Sequence, residues 1–387
     1  MRGFRYLSSG ESHGQCLTAI VEGIPAGLPV DVELINHDLA RRQQGYGRGG
    51  RMTIETDKVE VVSGVRFGET TGSPVTLRIM NKDWENWTDR MSVTGEPVGD
   101  KVTAVRPGHA DLTGILKYNR KDARDILERA SARETTSRVA VGALCKQFLK
   151  ACGIEVVSHV VKIGGIPVDR EKIDYSKINM LGTNASDLNC YDPEAEAKMK
   201  EKIQEAIKTG NTLGGVFEVI IRGVPLGLGS FIQWDKRLDG RFAHAMMAIQ
   251  AIKGVEIGAG LYCGETFGSN IHDEMFIDDS GKVYRKTNRA GGLEGGMTNG
   301  EEIIIRACKK PIPTLMQPLH SVDIEKKEPV LACKERSDVC AVGAASIVGA
   351  AMAAIVMTEA MTDKFGNDAM VDVLSSLNNY KERVSKL

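Results

Sequence analysis

The spacing of apolar and polar residues changes several times along the chain, and each change marks an element. Cys16 to Glu22 alternates and reads as a strand ended by Gly23 and Pro25. Asp31 then caps a helix through Arg42 that stops near Gly45. From Met52 to Asn81 the period returns to two. The runs MTIET, KVEVVSGV and PVTLRIM, parted by Asp57-Lys58 and by the Gly68 to Gly72 turn, predict an antiparallel meander. Lys82 to Gly99, with Trp84 and Trp87, is polar and reads as a long irregular connection of the kind that often carries function.

Arg106 to Leu149, RPGHADLTGILKYNRKDARDILERASARETTSRVAVGALCKQFL, is the stretch the rest is organised around. A histidine on a Pro-Gly turn precedes Arg129, Arg133 and Arg138 among small hydroxyl residues, which become an apolar helix ended by Gly153. Ile154 to Ile163 is a β-branched strand, and Pro167 to Tyr191 has little pattern. Asp192-Pro193 starts a charged helix to Lys208 with Gly210 as its stop. Gly214 to Gly223 predicts a strand, Asp239 to Lys253 an apolar helix and Gly254 to Gly260 a strand. A glycine-dense loop follows from Arg289 to Gly300, then a strand from Glu301 to Lys309. The last large helix is expected to begin around Asp338. Its run Ala341 to Met357 is rich in Ala and Gly and reads as a buried core helix, not a membrane span. Elements come in groups instead of strict alternation, which predicts an α+β fold with antiparallel sheets. No repeat or linker divides the chain, so residues 1–387 are expected to form one large domain.

Composition narrows the function. With 42% hydrophobic and 26% charged residues the chain reads as a soluble globular protein. A net charge of -1 gives no global attraction to nucleic acid or anionic membrane, so any anion binding has to be local. Met1 to Gln15 lacks the apolar core of a secretory signal, and the eight cysteines show no CxxC or metal-type spacing. Reduced thiols in a cytoplasmic protein without a metal site are the expectation. Aromatics at 5% argue against base-stacking modules.

Seven segments carry candidate chemistry. GESHG at Gly10 to Gly14 sets an imidazole in a Gly-flanked turn where backbone and ligand can come close, and RPGHAD supplies a second such histidine. RRQQGYGRGGR holds Arg41, Arg42, Arg48 and Arg51 among glycines. Arginine forks there and on the 129–138 stretch match phosphate and carboxylate oxygens. Gly291 to Gly296 could cradle a phosphate but lacks both the Walker A pair and GxGxxG spacing. KPIPT offers Lys310 and Thr314, and ERSD pairs Arg336 with Asp338. Each has a plain alternative: a turn histidine, a solvated helix face, a surface or RNA-binding loop, a capped helix end. Together they describe a site for a multiply anionic small ligand, with proton transfer and no covalent intermediate.

GESHG, HDLARRQQGYGR, RPGHAD, ERASARETTSRVAVGA, AGGLEGG, KPIPT and ERSDVCAVGAASIVGAAM, in this order, resemble the chorismate synthase family across nearly the whole chain. The resemblance implies a β-α-β sandwich with antiparallel sheets flanking a helical core, and a homotetramer. It implies a lyase that converts 5-enolpyruvylshikimate 3-phosphate to chorismate and phosphate by 1,4-elimination, with reduced FMN. By motif, His13 would protonate or stabilise the reduced flavin, His109 would donate a proton to the departing phosphate, and Asp338 would assist removal of the ring proton. Arg129, Ala130, Ser131, Gln250, Ala251, Gly295, Lys310, Pro311, Ile312, Pro313, Thr314 and Arg336 match FMN-binding positions. Arg42 and Arg48 match positions that contact substrate or NADP, and an i, i+4 relation to Arg129 turns Arg133 to the same ligands. No separate reductase domain is visible, so an external supply of reduced flavin is expected. The reading from another class is a non-catalytic binder of flavin or phosphorylated metabolite.

Overall fold

The computed structural model describes residues 3–49, 56–180, 186–332 and 338–386. Two antiparallel sheets hold the framework. In the first, β1 (Arg5–Ser9), β2 (Cys16–Glu22), β3 (Val59–Ser63) and β4 (Val75–Met80) run in the order β1-β2-β4-β3. The second contains β5 (Glu155–Ile163), β6 (Ile166–Pro167), β7 (Gly215–Arg222), β8 (Ile252–Ile257) and β9 (Ile303–Lys309), ordered β8-β9-β7-β5-β6. Grouped strands paired with neighbours and helices held apart from them make the fold α+β, as the pattern predicts.

Period-two alternation decides which sheet faces meet the helices. Leu17, Ala19 and Val21 of β2 and Val75, Leu77 and Ile79 of β4 are buried, and these two strands pack on α4 (Thr135–Ala151). In the second sheet β5, β7 and β9 pack on α7 (Val342–Phe365), with Phe217, Val219, Ile221, Ile303, Ile305 and Ala307 buried. Helices α4 and α7 lie against each other, and α1 (Val32–Gln43) touches both. Small residues set these approaches. A Cβ on Gly142 would sit 2.4 Å from Ala351 Cβ, and one on Gly349 would sit 2.3 Å from the Phe217 ring. Helix α7 is long and apolar enough to cross a membrane, yet it is apolar all round because both layers cover it.

Caps follow the local chemistry. Asp31 accepts the Glu33 and Leu34 N–H groups at the start of α1. Asp192 does the same for Glu194 and Ala195 at α5 (Pro193–Lys208), with Pro193 in the first turn. The organising stretch is less continuous than its pattern suggests. It divides into α2 (Asp111–Tyr118), α3 (Arg124–Ala130), a tight turn at Ala132–Glu134 and α4. A second, small core of Val105, Ile115, Ala123 and Leu127 lies beneath α2 and α3.

Two helix boundaries differ from expectation. Helix α6 (Leu238–Met247) stops six residues before Lys253, because Ala251 takes φ 68° and Ile252 already pairs with Lys309 in the sheet. Helix α7 starts at Val342 instead of Asp338, whose carboxylate is bound to the Gly49 N–H. The weakly patterned Pro167 to Tyr191 agrees with expectation: after Pro167, the end of β6, its described residues form only short 3-10 turns and loop. The predicted strand at MTIET lies outside the described residues apart from Thr56.

Candidate active site

The β1–β2 connection, Gly10 to Gln15, presents His13. Gly10 has φ 101°, and a Cβ there would fall 2.2 Å from the Cys16 carbonyl oxygen, so the turn requires glycine. Asn81 Nδ2 donates to the Gly14 carbonyl at 2.6 Å and to that of Glu11 at 3.1 Å. From the other side, α3 grips the loop. Ser12 N–H donates to the Glu128 carbonyl at 3.0 Å, Ser131 and Ser12 hydroxyls meet at 3.3 Å, and Arg129 donates to the Ser8 and Gly10 carbonyls at 2.9 Å.

Glu128 fixes the imidazole itself. Its Oε2 lies 2.8 Å from His13 Nδ1 and 2.9 Å from the His13 backbone N, while Arg124 Nη1 donates to Oε1 at 2.9 Å. Burial alone would raise the Glu128 carboxyl, but bonds from His13 and the Arg124 charge outweigh it and hold it below the usual range. Trp87 stacks on the His13 ring at 4.0 Å between centroids, with Arg124 over the indole at 5.0 Å. With Nδ1 committed to the carboxylate, Nε2 is the ring nitrogen left for a ligand.

His109 repeats the device over a shorter span. Its Nδ1 is 2.5 Å from Asp111 Oδ1, and Arg106 Nε donates to Asp111 Oδ2 at 2.8 Å. Asp111 is fully buried at the first turn of α2. Burial would raise its carboxyl, but hydrogen bonds from His109 and Arg106 push it far below the ordinary value. Lys310 Nζ donates to the Gly108 carbonyl at 2.6 Å and so ties this turn to KPIPT.

A cationic cluster lies between. Arg133 Nη1 spans both Asp57 carboxylate oxygens at 2.6 and 2.8 Å, and its Nε donates to Asn81 at 3.0 Å. Arg42 donates to Thr135 at 3.0 Å and to the Ala132 carbonyl at 2.8 Å, with Asp57 3.8 Å from its Nη1. Burial, together with repulsion from Arg133 and Arg48, lowers the Arg42 guanidinium to about 10 against the pull of Asp57 and Asp338. Arg48 pairs with Asp338 at 3.1 Å, and Lys309 and Lys310 adjoin that pair. Among the described residues five cations thus lie near two carboxylates, Asp57 and Asp338, an excess suited to a multiply anionic ligand.

Most of the expected residues are brought together. Asn81 and Arg133 link the His13 loop to Asp57 and Arg42, and Lys309-Lys310 links Arg48 and Asp338 to the His109 turn. Gln250 Nε2 donates to Glu134 Oε2 at 3.0 Å, and that carboxylate also takes Ser8 and Arg138. Ala251 accepts the Lys310 N–H at 2.9 Å, which brings the Gln250-Ala251 turn against Lys310, Pro311, Ile312, Pro313 and Thr314.

Arg133 does not follow Arg129. Ser131 is extended, with ψ 143°, and breaks the helix between them, so the i, i+4 relation does not exist and Arg133 turns inward to Asp57 and Asn81. Gly295 turns the Leu293–Thr298 hairpin, where Phe231 is the nearest residue outside it. Arg336 lies outside the described residues.

Sequence reasoning missed Glu128, Asp111, Asp57, Asn81, Trp87 and Lys309. The His-x-Asp spacing at 109–111 was a legible signal for Asp111. Among the described residues no three of His, Cys, Asp and Glu group as metal ligands.

An α+β scaffold that holds two carboxylate-bound histidines beside a cluster of five cations belongs to the class of proteins that bind small polyanions and move protons on them. The comparisons name the family. Residues 4–362 match the family described as Chorismate synthase. The chain is 55% identical to the chorismate synthase of Syntrophotalea carbinolica and 53% to that of Aquifex aeolicus, covering 100% and 99% of each chain. A solved structure titled Crystal Structure of Chorismate Synthase superposes with TM-score 0.80 at 44% identity over 99% of both chains. The chain belongs to the chorismate synthase family. It is an enzyme, a lyase of the shikimate pathway.

Proposed function

We propose that the chain catalyses the 1,4-elimination of phosphate from 5-enolpyruvylshikimate 3-phosphate to give chorismate, with reduced FMN bound in the same site. The observation that carries this is the cation excess flanked by two histidines whose Nδ1 atoms are both held by buried carboxylates. His109 Nε2 gives a proton to the departing phosphate, because Asp111 occupies the other ring nitrogen. Asp338, steadied by Arg48 and the Gly49 N–H, takes the ring proton. Arg42 and Arg48 neutralise substrate charge, and Arg133 acts by positioning Asp57, Asn81 and the His13 loop. These fixed charges stabilise the negative charge that develops as the C–O bond breaks.

The residues fit a phosphorylated flavin. Gln250 Oε1 and Arg42 Nη1 are buried without hydrogen-bond partners, and the left-handed Ala251 next to Gln250 accepts the Lys310 N–H. Arg129, Ala130, Ser131, Gln250, Ala251 and Lys310 to Thr314 would hold it, with Gly295 and Arg336 completing the set. When bound there, the reduced flavin would supply transient electron density for the C–O cleavage, in a reaction that is redox-neutral overall. His13 Nε2 holds a proton against its charge.

The same reading takes residues 1–387 as one β-α-β sandwich domain working as a cytoplasmic homotetramer, with reduced flavin delivered from outside. Packing of α4 on one sheet and α7 on the other supports the sandwich. The deciding experiment is anaerobic phosphate release from 5-enolpyruvylshikimate 3-phosphate with chemically reduced FMN. Well-folded protein that releases none would overturn the reading, and a repeat with oxidised FMN and NADPH tests the external supply.

A further inference from the structure

Strand β9 delivers an inward-facing residue at every second position: Ile303, Ile305, Ala307, then Lys309. The first three meet the helical layer as apolar side chains. The fourth is a lysine only 8% exposed, opposite Ile252 on one neighbouring strand and Gly215 on the other. Lysine is almost never this deeply buried without a partner. Among the described residues its ammonium makes no hydrogen bond and no ion pair within 4.0 Å.

Among the described residues its surroundings do not account for it. The charged and titratable groups that face it there are Arg48, Lys310, Asp338 and Cys340. Asp338 is committed to Arg48 at 3.1 Å and to the Gly49 N–H at 2.7 Å, and two of the other three neighbours are cations. Burial first, then Arg48 and Lys310, lower the lysine. Beside it begins α7, whose first residue follows Ala341 without a side-chain cap. A buried cation, an uncapped helix start and an excess of positive charge all favour one kind of occupant.

We propose that Lys309 is a further anion-binding residue of this site, its ammonium taking an oxyanion of the bound ligand beside Arg48 and Lys310. The inference rests on the chorismate synthase reading above. The oxyanion comes from the FMN phosphate or from a phosphate or carboxylate of the substrate, and it would supply the ammonium with the counter-charge that no described residue places within 4.0 Å.

The test uses Lys309→Met, which keeps the length and removes the charge. Apo protein should melt no lower than wild type, because an uncompensated buried charge is gone. Affinity measured by calorimetry should fall at least tenfold for FMN or for 5-enolpyruvylshikimate 3-phosphate. A loss for FMN but not riboflavin assigns the flavin phosphate, and a loss for the substrate alone assigns the substrate. Both affinities within twofold of wild type overturn the proposal, as does a large drop in apo stability with unchanged binding. If Lys309→Met fails to fold, Lys309→Gln replaces it, and wild-type protein supplies an independent measurement. Ligand binding followed from about pH 8 to about pH 10.5 in paired buffers of different ionisation enthalpy should show proton uptake that grows with pH, and no uptake anywhere in that range counts against Lys309. Wild-type turnover separates the two levels. Without it the enzyme reading fails, and with it unchanged affinities remove Lys309 alone.

Discussion

Glu128 holds His13 by two atoms at once, the backbone N at 2.9 Å and ring Nδ1 at 2.8 Å, from 115 positions away in the chain. That double grip sets the place of the imidazole and commits Nδ1, which leaves Nε2 to face a ligand. Glu128→Gln keeps the shape but offers the ring an amide in place of a carboxylate. Turnover should fall about tenfold to a hundredfold, with melting temperature and substrate affinity little changed. A kcat that matches wild type across pH 6 to 9 would remove Glu128 from the mechanism.

His109→Ala should still bind FMN and substrate, since no bond from its side chain holds the cationic cluster. It should turn over at least about a hundredfold more slowly, the usual scale for a lost general acid. Single-turnover kinetics with pre-reduced flavin read this directly, and an unchanged rate would exclude the assigned role.

Arg133→Met leaves Asp57, which is 4% exposed, facing Arg42 at 3.8 Å with its closer partner gone. Breaking a buried pair on one side costs about 3–5 kcal/mol, so urea denaturation should show a loss of that order. Adding Asp57→Asn in the same chain should recover part of it. If the double variant is no more stable than the single one, the Arg133–Asp57 pair is not the origin of the loss.

Across the second sheet, Glu218 stands between His159 at 3.2 Å and Arg306 at 2.7 Å, all three buried. Burial would raise the Glu218 carboxyl, but bonds and charge from His159 and Arg306 hold it below the ordinary value of 4.5. A folded-state value below the unfolded one adds stability at neutral pH that disappears as pH falls through that lowered value. The urea midpoint should therefore drop as pH falls below about 4.5, and Glu218→Gln should flatten that drop. An identical pH profile in the variant would assign the acid sensitivity to other carboxylates.

The α+β grouping and most strands were legible because hydrophobic period is a local property. Asp31 and Asp192 even marked helix starts to the residue. The boundary at Met247 was not, since Gln250-Ala251 has good helix formers and turns only because Ile252 is claimed by Lys309 across the sheet. The site divides the same way. Histidines 13 and 109 stood out by their glycine-flanked turns, and Asp111 lies two residues from its histidine. Glu128 looked like any helix-face carboxylate until β1 and α3 met. Lys309 read as the basic end of a strand, and only its inward face and charged neighbours give it meaning.

Gly142 and Ala351 meet where neither has room for another atom, yet roughly 200 residues separate them in the chain. During synthesis α4 leaves the ribosome long before α7 exists, so its groove stays open for the whole translation of the second sheet. At about 5–20 residues per second that interval lasts on the order of 10 to 40 seconds. The close contact at the centre of the folded protein can therefore form only after the last helix layer has been made, so α4 is buried on that side late in synthesis.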